Sequence, residues 1–110
     1  MTTFITALNA YDCETAAALT TADATDEARS WCEDISTLTD VIVDDHSIES
    51  PEFSGHSASD EVVHVPVTFD LDWRRFHSDT SMEEGNTFWG YRLVRDSKEG
   101  PWRIAGQGPI

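Results

Sequence analysis

At 110 residues the chain holds one domain, spanning 1–110, and leaves no room for a second. A hydrophobic share of 39% excludes wholesale disorder, and no run approaches the ~18 apolar residues that a membrane-spanning helix needs. The formal net charge of −14 lies on one side of the sequence: residues 1–73 hold sixteen acids and one base, Arg29, whereas residues 74–110 hold six bases and five acids. So acidic a surface repels phosphate backbones and anionic lipid, which argues against nucleic acid and membrane as partners and leaves a basic protein as a candidate one.

The first third reads as helix. Phe4, Ile5 and Leu8 share one helical face, with Thr2 or Thr3 as N-cap. Asp12 caps a second short helix bearing Ala16, Ala17 and Leu19. Thr25 or Asp23 caps a third, in which Ala28, Trp31, Cys32 and Ile35 recur at the spacing of a buried stripe. The opening MTTFITALNAYD has neither a basic start nor a long apolar run, so no signal peptide is expected as it stands. The expected compartment is the cytoplasm, with export expected only of a trimmed form.

The remaining two thirds read as strands. Leu38–Ile48 is mixed, with an apolar centre at Val41, Ile42 and Val43, and Ser50–Ser59 is a loop. The clearest strand follows. Val63, Val65, Val67, Phe69, Leu71 and Trp73 alternate with His64, Pro66, Thr68, Asp70 and Asp72, so the odd positions face a core and the even ones face water. Pro66 has no amide to donate and predicts an edge or a bulge. His77–Gly85 is a polar connection. A second strand carries Trp89, Tyr91 and Leu93 on its inner face, and Asp96–Pro101 is a turn. A last strand starts with Trp102 and Ile104 inside and Arg103 outside. Helices followed by antiparallel strands make an α+β domain.

Cys13 and Cys32 are the only cysteines, too few for a structural zinc site, and no metal or other cofactor is expected. In a reducing cytoplasm both are expected as free thiols. The alternative is a bridge. The brief Thr20–Ala24 connection folds the second and third helices back on each other and brings both cysteines to one end, and a disulfide there would argue for an exported domain.

Two segments carry a family likeness. FITALNAYDCETAAAL resembles the opening helix, "ALNAGD" turn and second helix of the nuclear transport factor 2-like superfamily, which includes the ketosteroid isomerase-like and SnoaL-like proteins. FWGYRLVRDSKEGPWRIAGQG resembles its closing hairpin, where a "PWRI" strand is typical. The resemblance implies N-terminal helices packed in a strongly curved antiparallel sheet, forming a cone. It also implies a homodimer through the outer sheet face, which here would present Phe88, Val94 and Ala105 beside Asp70, Asp72, Arg92 and Arg103.

A fold of this kind hosts unrelated activities, so the residues must speak individually. Phe4 stands where an isomerase carries its oxyanion-hole tyrosine, and the chain has no Asp-Pro to match the isomerase base. Tyr11 replaces the glycine of the turn and is expected near the surface. Dehydratases of the superfamily pair a His with an Asp, but His64, Asp70 and Asp72 fall on the face assigned to water. Asp44 and His46 share a strand face as two ligands, too few for a cation. No catalytic signature is recognisable. The expected function is binding of a small apolar ligand in a pocket lined by Phe4, Phe69, Trp73, Trp89, Tyr91 and Trp102. The alternatives are a cofactor-independent lyase, isomerase or cyclase and an acidic immunity-type protein that blocks a basic partner.

Overall fold

The computed structural model describes residues 1–54, 60–74, 84–97 and 100–109. Three helices come first: α1 (Thr2–Asn9), α2 (Cys13–Ala18) and α3 (Thr25–Asp34), with a 3-10 turn at Ala22–Ala24. Five strands follow: β1 (Ile35–Val43), β2 (Ser47–Glu49), β3 (Glu61–Trp73), β4 (Gly85–Arg95) and β5 (Arg103–Pro109), with a second 3-10 turn at Pro51–Ser54. They form one antiparallel sheet in the order β1-β3-β4-β5, with β2 continuing beside β3 where β1 stops. The domain is α+β.

Local chemistry explains most boundaries. Asp12 caps α2 as expected: its carboxylate accepts from the Thr15 amide at 3.2 Å and the Thr15 hydroxyl at 2.7 Å. Those two donors hold its carboxyl below the usual carboxylate range. At α1 and α3 the N-caps are Met1 and Ala24, without side-chain caps, rather than the threonines or Asp23 expected. The Thr25 hydroxyl instead donates back to the Thr21 carbonyl at 3.0 Å. Ile35 is not the last residue of the helical stripe. α3 ends at Asp34 and Ile35 turns directly into β1 at ψ 132°, fully buried. The run Ile-Ser-Thr-Leu-Thr that follows is rich in β-branched side chains and carries no glycine to close the helix.

The parity of β3 holds on the core side: Val63, Val65, Val67, Phe69, Leu71 and Trp73 are all buried. It fails at one end of the other side, where Val62 and Val94 pair across β3 and β4 and are also buried. Val94 therefore cannot be presented to a partner, whereas Phe88 is 65% exposed and Ile42 58%.

Pro66 is not at an outer edge of the sheet; it faces an irregular step in the register, where residues 44–46 oppose Val65 and Pro66. β3 is an interior strand, paired with β4 on one side and with β1 and β2 on the other. The Asp44 amide donates to the Pro66 carbonyl at 2.9 Å, so the backbone of Pro66 faces the β1–β2 side. There β1 ends at Val43↔Val67 and β2 begins at Ser47↔His64. The missing amide of Pro66 falls in that gap, where no ladder bond is lost.

Both outer edges are blunted. On β1 the Asn9 side chain acts as a one-residue strand: Nδ2 donates to the Leu38 carbonyl at 3.0 Å, and the Leu38 amide donates to Oδ1 at 2.7 Å. A register shift beside Asp40, at φ 51°, breaks the edge further on. On β5 the Ile104 amide donates to Leu19 O at 2.9 Å and Thr21 N donates to Ile104 O at 2.8 Å. Alternation then turns Gln107 and Pro109 outward, and Pro109 has no amide to offer.

The helices close over the sheet through aromatic contacts. Trp31 of α3 stacks on Trp89 (centroids 5.6 Å, 19°) and meets Phe69 and Trp73 edge-on at 6.1 and 6.3 Å. Phe4 of α1 meets Tyr91 edge-on at 5.6 Å. Cys13 and Cys32 are joined in a disulfide between α2 and α3, with Cα atoms 5.6 Å apart. The expectation of two free thiols is thereby corrected: the short connection does bring the cysteines to one end of the helix pair.

Candidate functional site

All six aromatic residues expected to line a pocket are in the core or packed against it. Phe4, Phe69, Trp73 and Tyr91 are buried and Trp89 is half-buried, all packed with one another or with Trp31. Trp89 also donates from Nε1 to Gln107 Oε1 at 3.4 Å. Trp102, half-buried against the edge of the core, lies just ahead of β5 with the Arg95 guanidinium 4.4 Å above its ring. Arg95 is held in turn by an ion pair with Glu61, its register partner on β3.

Around Trp102 the inner sheet face continues past the helices. Val63 and Val65 of β3 and Leu93 of β4 form an apolar floor, and His46 from the β1–β2 connection closes one side. Together with Trp102 they line an open cleft of about 190 Å³. A larger, more polar cleft of about 340 Å³ shares His46, Val63 and Trp102 and is bordered by Ile48, Glu49, Asp60, Glu61 and Arg95. Ile48 is 84% exposed at its mouth. Pro51 of the second 3-10 turn also borders this cleft, and among the described residues none from α1, α2 or α3 lines either space.

A second cleft of about 490 Å³ lies between the Thr21–Asp23 turn and the β4–β5 end, and it includes Val94, Asp96, Arg103 and Ala105. Asp23, Asp60 and Asp96 all border it, yet among the described residues no three His, Cys, Asp or Glu side chains come close enough to hold a metal ion. Arg103 uses one guanidinium nitrogen to donate to the Ala18 carbonyl at 2.8 Å.

The remaining candidates are dispersed. His64 lies half-buried on the outer face, in register with Ser47 and Arg92, and its ring covers Gly90 so closely that a Cβ there would sit 2.4 Å from Nε2. Asp72 accepts from the Thr37 hydroxyl at 3.2 Å instead of meeting a histidine. His56 and His77 lie outside the described residues. Asp44 and His46 are exposed, and only His46 borders a cleft. Tyr11 sits at the surface at φ 55° with Arg74 stacked 4.2 Å from its ring centre. One buried polar atom was not anticipated. The Tyr91 hydroxyl is sealed in the core with no hydrogen-bond partner among the described residues, and burial pushes its pKa strongly upward.

The family described as "Domain of unknown function (DUF4829)" matches residues 2–108. The chain belongs to that family. No curated protein and no solved structure matches it. Among DUF4829 chains, then, the site must be read from this geometry. Arg95 and Trp102 fall within the closing-hairpin segment, but His46 stands in no recognisable motif, because the cleft is assembled from residues far apart in the chain.

Proposed function

We propose that this DUF4829 domain is a non-catalytic binding domain built on the cone of the nuclear transport factor 2-like superfamily. In this reading it takes a small apolar ligand in the cleft around Trp102. One observation carries the proposal: an open cleft floored by Val63, Val65 and Leu93, walled by Trp102, and offering a single polar side chain, His46. Mostly apolar spaces with one or two polar groups are the usual form of small-molecule sites. The test is a titration with Nile red, a neutral apolar dye, followed by its fluorescence. Saturable binding that weakens about tenfold or more in Trp102→Ala supports the reading, on the scale of one lost aromatic contact. Equal binding by the variant, or none by the folded wild type, refutes it.

A second reading rests on the helical face, where Glu14, Asp23, Asp26, Glu27 and Glu33 are exposed and Arg29 is the one base among them. This arrangement suits a basic protein partner, and even Arg29 is engaged by Glu14 at 2.9 Å. Binding to a lysine-rich peptide that survives 0.5 M salt unchanged would contradict it. Self-association through the outer face has a smaller apolar patch, Ile42 and Phe88, and sedimentation of Phe88→Glu against wild type decides it. The disulfide favours an oxidising compartment over the cytoplasm for all of these readings. A lyase or isomerase would need a paired acid and base, and here the His64 ring lies over Gly90 while Asp72 accepts from Thr37.

A further inference from the structure

The Cys13–Cys32 bridge closes a loop whose middle does a separate job. Between the two sulfurs the chain runs through α2, a turn and α3. On the way it lays Ala18, Leu19 and Thr21 along the start of β5. Three hydrogen bonds hold it there: Arg103 to Ala18 O, Ile104 N to Leu19 O, and Thr21 N to Ile104 O. Together they cap a stretch of the β5 edge at which the amide and the carbonyl of one residue, Ile104, are both covered from outside.

Beyond these bonds the cap is held by Leu19, partly buried against the core, and by buried Thr20, whose hydroxyl donates to the Ala17 carbonyl at 2.7 Å. A helix of six residues has no stability of its own in water. The buried side chains of α2 are Ala16 and Ala17, which bring small apolar area. Asp23, Asp26 and Glu27 crowd the same region with like charge, and Glu14 is held with Arg29 in a solvent-exposed ion pair. The covalent link to Cys32, which is fully buried in α3, is the strongest tether the segment has.

We infer that the disulfide is a redox-sensitive clasp: its reduction releases the Leu19–Thr21 cap from β5 while the sheet stays folded. Cys13 is partly exposed and Cys32 is not, so an incoming thiolate of a dithiol reductant reaches the Cys13 sulfur. A mixed disulfide forms at Cys13 and Cys32 leaves as a thiolate that takes up a proton. The second thiol of the reductant, deprotonated, attacks the reductant sulfur of the mixed disulfide, and Cys13 leaves and is protonated. Two electrons and two protons have passed to the protein, and the reductant departs as a disulfide. The released segment carries Thr21 and Asp23 away from the 490 Å³ cleft, whose other wall is Val94, Arg103 and Ala105. The clasp thus sets both the exposure of a strand edge and the closure of a cleft.

Amide hydrogen exchange resolved by residue tests this on the full chain, oxidised, reduced with dithiothreitol, and as the Cys13→Ser/Cys32→Ser double variant. The Thr21 and Ile104 amides should exchange about 100-fold faster or more in both bridge-free forms, while Val65, Val67 and Tyr91 change by less than about threefold, as expected of local opening. Unchanged protection at Thr21 and Ile104 overturns the clasp. So does loss of protection at all five positions together, which would make the bridge a global staple and no switch.

Discussion

The helical layer and the sheet are held together by different means. β3 and β4 run in register over eleven pairs, from Glu61↔Arg95 to Leu71↔Gly85, and bury Val67, Phe69 and Tyr91 between them and the helices. That half organises itself through a continuous ladder and a continuous apolar face. The helices have no equivalent. They are eight, six and ten residues long, and they expose many acids against the single base Arg29. A layer that repels itself needs tethers: a covalent one at Cys13–Cys32 and an aromatic one at Trp31, which touches three sheet aromatics at once.

If that contrast is right, Trp31→Ala should be the most damaging single change, costing about 3–5 kcal/mol because a buried indole leaves a cavity on both layers. Urea denaturation reads the cost, and a loss below about 1 kcal/mol would mean that the layers are joined elsewhere. Next comes the bridge. Closing a loop of 19 residues' separation is worth about 3 kcal/mol in the chain-entropy model, so in Cys13→Ser/Cys32→Ser local opening at Thr21 and Ile104 should become easier by roughly that amount, read by exchange, while the urea midpoint of the sheet moves little.

Asn9→Ala sharpens the comparison from the sheet side. It strips Leu38 of a donor and an acceptor at the β1 edge and should cost about 1–2 kcal/mol. A fast-exchanging Leu38 amide would be the signature. Tyr91→Phe runs the other way. It removes a buried hydroxyl without a described partner, so it should be neutral or stabilising by up to about 1 kcal/mol. A clear loss of stability would reveal an acceptor inside the core.

The smallest effect concerns pH. Thr15 donors depress the Asp12 carboxyl, and the Arg29 guanidinium, hydrogen-bonded to Glu14, depresses its carboxyl. Both groups have a folded pKa below the unfolded one. Their stabilisation of α2 is therefore complete above the unfolded values, about 3.9 and 4.3, and is lost as pH falls through the depressed folded values. In Asp12→Asn the acid-induced loss of α2 protection should become shallower, which exchange at Thr15 and Ala16 would show.

How much of this was legible in the sequence depended on range. The core parity of β3 was readable because each residue reports its own face, and the Asp12 cap because cap and helix are adjacent. Ile35 misled because it continues the three- and four-residue spacing of Trp31 and Cys32, although the β-branched run beyond it prevails. Pro66 misled as to an outer edge, because the rule about edges counts sheet borders and not gaps between collinear strands. The aromatic side chains revealed their face but not their depth: the helices close over Phe69 and Tyr91 and stop short of Trp102. The cleft itself joins His46, Val63, Arg95 and Trp102, and nothing in their separate neighbourhoods announces that meeting.

The gap opposite Pro66 has a practical use. Asp45 and His46 lie between the last pair of β1 and the first pair of β2, are exposed, and take no part in the ladder. Exposed chain with no ladder bonds accepts insertions best. A short tetracysteine tag or fluorophore-bearing peptide placed between these two residues would leave the register of β3 untouched. It would also stand beside His46, at the rim of the Trp102 cleft, turning the break that a proline imposes into an address for a reporter.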